Sequence, residues 1–246
     1  MKCPKCNAEQ NHSNAICEQC GVVFEKYYKH HPHPGESLPA TTFADNGFST
    51  ASELQHLLLP AQVGGDEMVL ALRAILWVIL AVWGLLLIFS SVDSNAAGQS
   101  FLHLINLPFH ETGHVFFRPF GQFITSLGGT LGQLLMPAIC LGVLLIKTRD
   151  PFGASVCLWW LGENFLDIAP YMADARAGIL PLIGGNTGQT SPYGFHDWEY
   201  LLTETGLLHW DTTLATLSHL LGALIMILAA IWGLILLRRQ FLGLKS

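Results

Sequence analysis

The amino-acid sequence predicts an all-α polytopic membrane protein with a small zinc ribbon at its N-terminus, and two observations carry that prediction. Only 12% of the 246 residues are charged, about half the share found in ordinary soluble domains. Of the 30 charged residues, 15 lie in the 170-residue stretch 68–237, so this stretch is expected to be embedded in a membrane. In addition, four of the six cysteines lie within the first twenty residues.

The first element is a pair of cysteine knuckles within residues 1–25. Cys3 and Cys6 form one CxxC pair, and Cys17 and Cys20 form the second. Because two such pairs supply four thiolates in a tetrahedron, the spacing predicts a structural Zn²⁺ site. Two disulfides or a redox CxxC are less favoured, since no secretory signal precedes the cysteines and no βαβ pattern surrounds them. Reduced thiols favour a cytoplasmic N-terminus, where the ribbon can recruit a cytosolic partner.

A linker and a short tail flank the membrane-embedded region. Residues 26–67 are polar and contain a His-Pro tract at 30–35. This tract is more typical of a proline-stiffened linker than of a metal-binding segment. Residues 238–246 follow the last apolar segment and form a C-terminal tail with three basic residues.

Four apolar segments are long enough to cross a bilayer. They lie at 68–90, 121–146, 151–172 and 212–237. A shorter apolar segment, 101–117, contains three histidines and Glu111. The sequence therefore predicts four to five transmembrane helices, typical of a multi-pass protein of a bacterial inner membrane.

Charge placement constrains the topology of these segments. If the N-terminus is cytoplasmic, Lys147, Arg149 and the basic C-terminal tail should be cytoplasmic as well. Four spans satisfy this rule when segment 101–117 dips into the membrane without crossing it, whereas five full spans break it. The glycine-rich stretch 120–137 allows either a re-entrant turn or close helix packing.

The chemical signature of the chain is the sequence HETGH at 110–114. On a helix, His110 and His114 share one face, so both imidazoles can bind one metal ion. Glu111 then lies beside the metal, where it can act as a general base on water. Ionisable residues at membrane depth are costly, so this cluster indicates a functional site rather than a chance motif.

A catalytic zinc requires a third protein ligand and an open position. Asp174 is the favoured candidate, because it ends a helical stripe that also contains Glu163 and Asp167. Asp167 itself, His196 and Asp197 remain open alternatives. A carboxylate of this stripe can instead pair with Arg176.

The HETGH motif, the glycine-broken apolar hairpin after it and an aspartate on a later helix resemble the site-2 protease class of membrane-embedded zinc metallopeptidases. The resemblance covers residues 68–237. It implies that His110, His114 and a later aspartate hold zinc and that Glu111 activates water. The class usually carries Asn-x-x-Pro followed by Asp-Gly. Here Asn164 is followed by Asp167 at the proline position, and Asp174-Ala175 is more similar to a divergent bacterial branch.

These observations predict a zinc endopeptidase that cleaves membrane proteins, with one catalytic and one structural Zn²⁺. The substrate is expected to be a membrane protein, and the lipid bilayer surrounds the site. The alternative is a non-proteolytic membrane adaptor whose zinc ribbon recruits a cytosolic partner. The net charge of −6 excludes binding driven by net basicity, so no nucleic-acid partner is expected.

Overall fold

The computed structural model describes residues 2–11, 14–24, 27–28, 50–60 and 66–245. The chain divides into two compact units, Met1–Ala51 and Ser52–Ser246. In the described residues the long elements are all helices, and β-pairing is restricted to isolated bridges in short turns. The prediction of an all-α protein is therefore confirmed.

The first unit contains two turns with the same backbone pattern. The N–H of Cys3 donates to Ala8 O, and the N–H of Cys17 donates to Val22 O, both at 2.9 Å. The residue four positions after each of these cysteines adopts a left-handed conformation, with φ of 62° at Asn7 and 68° at Gly21. This repeated turn brings the two cysteines of each CxxC pair to one side of the loop.

Seven helices are described in order along the chain. They are α1 (Thr50–Leu58), α2 (Glu67–Ile88), α3 (Phe101–Phe117), α4 (Gln122–Gly142), α5 (Pro151–Ala173), α6 (Asp197–Glu204) and α7 (Asp211–Gly243). Helix α4 continues through a π-helical turn to Lys147. Short 3₁₀ turns precede α3, α4 and α7.

Three described helices are long and apolar enough to cross a membrane, namely Glu67–Ile88, Gln122–Lys147 and Leu208–Gly243. They match three of the four predicted spans. The fourth, 151–172, forms the 23-residue helix α5 but is less apolar, because it carries Glu163 and Asp167. Most residues of α5 are buried against the other helices, especially α7. The polar groups of α5 are thus covered by protein.

The two ends of the second unit are marked by polar contacts. At one end, Arg73 of α2 donates to Asp150 at 3.2 Å and to Gln240 of α7 at 3.1 Å. At the other end, His219 Nε2 of α7 lies 3.0 Å from Ile88 O of α2. Helices α2 and α7 are therefore antiparallel. Because α7 continues to Gly243, the predicted tail from residue 238 is not a separate segment but belongs mostly to this helix.

Helix α3 coincides with the short apolar segment predicted at 101–117. It begins beside the C-terminal half of α5, where His103 Nδ1 lies 2.9 Å from Asp167 Oδ1. It ends beside the start of α4, where His114 Nδ1 lies 2.8 Å from Thr125 O. The chain then reverses into α4, and the two helices pack as an antiparallel pair.

Glycines on both helices allow the backbones of α3 and α4 to approach closely. A Cβ atom on Gly113 would overlap the carbonyl oxygen of Gly128, and a Cβ atom on Gly132 would overlap that of Phe109. The stretch 122–142 is one continuous helix, so of the two predicted alternatives the structure has close packing and not a re-entrant turn.

The predicted linker 26–67 is described only in part. Helix α1 and the start of α2 lie within it. Residues 29–49 and 61–65, which include the His-Pro tract, lie outside the described residues.

Candidate metal centre

The HETGH motif lies in the last two turns of α3. Its i, i+4 spacing places the rings of His110 and His114 on the same face, with centroids 4.8 Å apart. A ligand atom from each of His110, Glu111 and His114 lies within 4.8 Å of the others. The structure therefore brings together the three predicted residues of the motif in a group that can hold a metal ion.

A carboxylate from a distant part of the chain lies against the two histidines of this group. Asp197 Oδ2 lies 3.2 Å from His110 Nε2 and 3.3 Å from His114 Nε2. Asp197 is the first residue of α6, and its backbone N–H donates to the hydroxyl of Tyr171 at 2.9 Å. The same hydroxyl donates to Asp197 Oδ2 at 3.3 Å. Tyr171 on α5 thus holds both the backbone and the side chain of Asp197.

The other ring nitrogen of each histidine is already engaged. His114 Nδ1 lies 2.8 Å from the carbonyl oxygen of Thr125, which can only accept a hydrogen bond. His110 Nδ1 lies 3.2 Å from the amide oxygen Oε1 of Gln133. In the neutral imidazoles the proton therefore sits on Nδ1, and both Nε2 lone pairs face the Asp197 carboxylate. Three electron-rich atoms that meet in this way are held together by protons on the imidazoles or by a metal cation between them.

The spacing of these atoms suits a metal ion. Bonds of about 2.0–2.1 Å in a tetrahedral zinc site place neighbouring N and O ligands about 3.3 Å apart. The distances from Asp197 to the two histidines have this value. Gly129 of α4 faces the same point, since a Cβ atom there would lie 2.5 Å from Nε2 of each histidine. The missing side chain leaves space beside the nitrogens for a metal ion and a further ligand.

Asp174, the favoured third ligand, is not brought to the two histidines. Its two carboxylate oxygens accept hydrogen bonds from the backbone N–H groups of Ile179 and Leu180, both at 2.9 Å. Helix α5 ends at Ala173, so Asp174 lies where the chain leaves the helix and closes the following turn. The structure thus brings Asp197, one of the predicted alternatives, and not Asp174 next to the two histidines.

The remaining alternatives have structural partners of their own. His196 Nδ1 accepts from the N–H of Glu199 and caps α6, while its Nε2 lies 3.4 Å from Asp174 Oδ2. Burial lowers the pKa of the His196 imidazole, although Asp174 opposes the shift. Asp167 lies inside the bundle, where it contacts His103, Asn106 and Gln133. Arg176 pairs with Asp211 at 2.7 Å and with no carboxylate of the α5 stripe among the described contacts.

The four N-terminal cysteines form a separate candidate metal site. The Sγ atoms of Cys3 and Cys20 lie 3.7 Å apart, as do those of Cys6 and Cys17. A tetrahedral zinc with Zn–S bonds of about 2.3 Å gives S–S separations of about 3.8 Å. The distances are much longer than a disulfide bond of about 2.05 Å. Burial would raise the pKa of the Cys3 thiol, but N–H groups of Cys6 and Lys5 lower it to about 6.

Sequence reasoning missed the residues that hold the ligands in place. Gln133 lies within the apolar segment 121–146, and an amide inside such a stretch is itself a signal of a buried contact. Tyr171 lies near the end of the apolar segment 151–172, and its residue type alone does not predict a contact with Asp197. Thr125 acts through its backbone carbonyl, so its residue type carries no signal.

Comparison with protein-family models, with curated proteins and with solved structures gives no match to the chain.

Proposed function

We propose that this chain is a membrane-embedded zinc endopeptidase. The observation that supports the proposal is the convergence of His110 Nε2, His114 Nε2 and Asp197 Oδ2 at about the ligand spacing of zinc. Glu111 stands next to the two histidines and is exposed, whereas His110 and Asp197 are buried. A metal with three protein ligands, a free position and an accessible carboxylate is the arrangement of hydrolytic zinc sites.

The roles of the side chains follow from this arrangement. His110, His114 and Asp197 hold the ion, and Tyr171 keeps Asp197 in place. When bound, zinc supplies a Lewis acid that polarises the scissile carbonyl and makes water easier to deprotonate. Glu111 accepts the proton of the attacking water and then donates it to the leaving amine. A peptide bond in a helical substrate must first unwind, because its backbone groups are otherwise paired.

The proposed topology has four spans and a cytoplasmic N-terminus. Arg73, Asp150 and Gln240 mark one end of the bundle, and Lys147, Arg149 and Arg239 belong to the same end by chain continuity. The positive-inside rule assigns this end to the cytoplasm. Helix α5 then crosses as the fourth span, shielded by its neighbours, and α3 dips in from the opposite side without crossing. The four-span solution is favoured because α3 begins beside the C-terminal half of α5 and ends beside the start of α4, both of which lie away from the basic end of the bundle.

The resemblance to site-2 proteases supports the same proposal, because its most specific part is the HETGH motif at His110–His114. The chain differs in the origin of its third ligand, since Asp197 follows a long loop and begins the short helix α6. The proposed site therefore belongs to a variant of the architecture in which a loop element, and not a spanning helix, completes the metal centre.

A second candidate function rests on the cysteine site. Four thiols at tetrahedral spacing in a small separate unit are typical of a zinc ribbon that binds a partner. In this alternative the protein is a non-proteolytic membrane adaptor, and the ribbon recruits a cytosolic protein. The adaptor requires no turnover and gives Glu111 no chemical role.

The test compares the membrane proteomes of cells that produce wild type, Glu111→Gln or Glu67→Gln. Glu111→Gln removes the base but no proposed ligand, and Glu67 is an exposed glutamate in the first turn of α2. We expect fragments with wild type and Glu67→Gln that are missing with Glu111→Gln. The peptidase proposal fails if the fragments persist in cells with Glu111→Gln. It also fails if no fragment appears that requires production of the wild-type protein. The adaptor then gains support if Cys3→Ser alone releases a cytosolic partner.

A further inference from the structure

The amide of Gln133 lies between a candidate metal ligand and a buried carboxylate. Its Oε1 is 3.2 Å from His110 Nδ1, and its Nε2 donates to Asp167 Oδ2 at 2.9 Å. Gln133 belongs to α4 and Asp167 to α5, and each residue is only 5% exposed. One side chain thus links the helix of the HETGH motif to the most buried helix of the bundle.

The chemistry of the carboxylate determines the orientation of this amide. An ionised carboxylate only accepts hydrogen bonds, so Gln133 must turn its NH₂ group towards Asp167. Its carbonyl oxygen then faces His110, and this oxygen only accepts as well. The proton of His110 is consequently held on Nδ1, and its lone pair lies on Nε2, the atom that faces Asp197.

Asp167 is itself held by donors from two directions. His103 Nδ1 lies 2.9 Å from Oδ1, and Asn106 Nδ2 donates to Oδ2 at 3.0 Å. Asn106 cannot turn over, because its Oδ1 accepts from the indole N–H of Trp160 at 2.8 Å. The network therefore has one consistent direction of hydrogen bonding from Trp160 to Asp167, and the orientation of Gln133 is fixed by buried groups.

We infer that Gln133 and Asp167 are positioning residues that set the tautomer of His110 and thereby the metal affinity of the site. The inference rests on the proposed metal centre, of which His110 is a ligand. The two histidines differ in this respect, because His114 is oriented by a backbone carbonyl that no substitution of Thr125 removes. Changes at Gln133 should therefore act on one ligand only. Loss of such an outer hydrogen bond typically lowers metal affinity about 10–100-fold.

The test measures zinc affinity by chelator competition on the purified full-length chain. One zinc ion is expected to be lost in His110→Ala. We expect Gln133→Leu to lower the affinity for this same ion about 10–100-fold. The double variant Gln133→Glu/Asp167→Asn keeps an acceptor towards His110 and, with the roles reversed, a donor–acceptor pair between positions 133 and 167, so it should restore affinity towards that of wild type. Gln240→Leu is the matched control, because Gln240 is 1% exposed, contacts Arg73 and lies at the far end of the bundle.

A second measurement does not depend on the folding of any variant. ¹⁵N NMR of histidine-labelled, metal-free wild type should show His110 with its proton on Nδ1. A proton on Nε2 overturns the inference, as does unchanged zinc affinity in Gln133→Leu. If wild type and His110→Ala bind the same amount of zinc, the metal centre itself is absent and the proposed function fails. The failure of the inference is thus distinguishable from the failure of the proposed function.

Discussion

Asp197 Oδ2 lies 3.2 Å from His110 Nε2, although 87 residues separate the two positions in the chain. The same oxygen lies 3.3 Å from His114 Nε2. The contact joins the end of α3 to the start of α6. In the proposed function it identifies Asp197 as the third zinc ligand.

Substitution of Asp197 should therefore remove the metal, whereas the same substitution of Asp174 should not. For Asp197→Ala we expect a loss of zinc affinity greater than the roughly 10–100-fold that outer-sphere changes produce. Asp174→Ala frees the N–H groups of Ile179 and Leu180 and should lower stability but keep zinc bound. Zinc competition on both variants checks this. If Asp197→Ala keeps its zinc and Asp174→Ala loses it, the third zinc ligand is Asp174 and not Asp197.

Gly129 should tolerate no side chain beside the two histidines. A Cβ atom at this position would lie 2.5 Å from both Nε2 atoms, in the space proposed for the metal and its open position. We expect Gly129→Ala to abolish zinc binding at this site. Gly142→Ala is the control on the same helix, because no atom lies within 4 Å of the added methyl group. Equal zinc content in the two variants would refute this role for the space at Gly129.

The hydroxyl of Tyr171 should contribute to metal affinity through Asp197. Tyr171→Phe removes the acceptor of the Asp197 N–H and the donor to Asp197 Oδ2. We expect zinc affinity to fall about 10-fold and the free energy of unfolding to fall by about 1 kcal/mol. Tyr193→Phe is the control, since its hydroxyl pairs with Glu204 on the exposed surface. An effect of equal size in both variants would argue against a specific role for Tyr171.

Local spacing was sufficient to predict much of this site. His110 and His114 are four residues apart on one helix, and each CxxC pair lies within a single turn, so neighbouring positions determine both arrangements. Apolar length likewise predicts the three most apolar helices. These features depend on contacts within one segment of the chain.

Features that depend on tertiary packing were harder to predict. Asp197 reaches the histidines because the loop after α5 folds back and α6 begins at this residue, and no periodicity in the sequence encodes that path. Asp174 fits the helical stripe of Glu163 and Asp167, but the helix ends one residue before it. The two adjacent basic residues Arg238 and Arg239 predict the end of the apolar segment, whereas α7 continues to Gly243. Arg239 instead donates to the carbonyl oxygen of Leu59 at 2.8 Å.

The central claim is that the chain has a metal site at His110, His114 and Asp197, separate from the four cysteines. The most direct test is the metal content per chain of purified wild type, His110→Ala and Cys3→Ser, measured by inductively coupled plasma mass spectrometry. The account predicts two zinc ions in wild type and one in each variant, with Co²⁺ spectra of nitrogen and oxygen coordination in Cys3→Ser and of thiolate coordination in His110→Ala. A single zinc in wild type that His110→Ala leaves in place would contradict it.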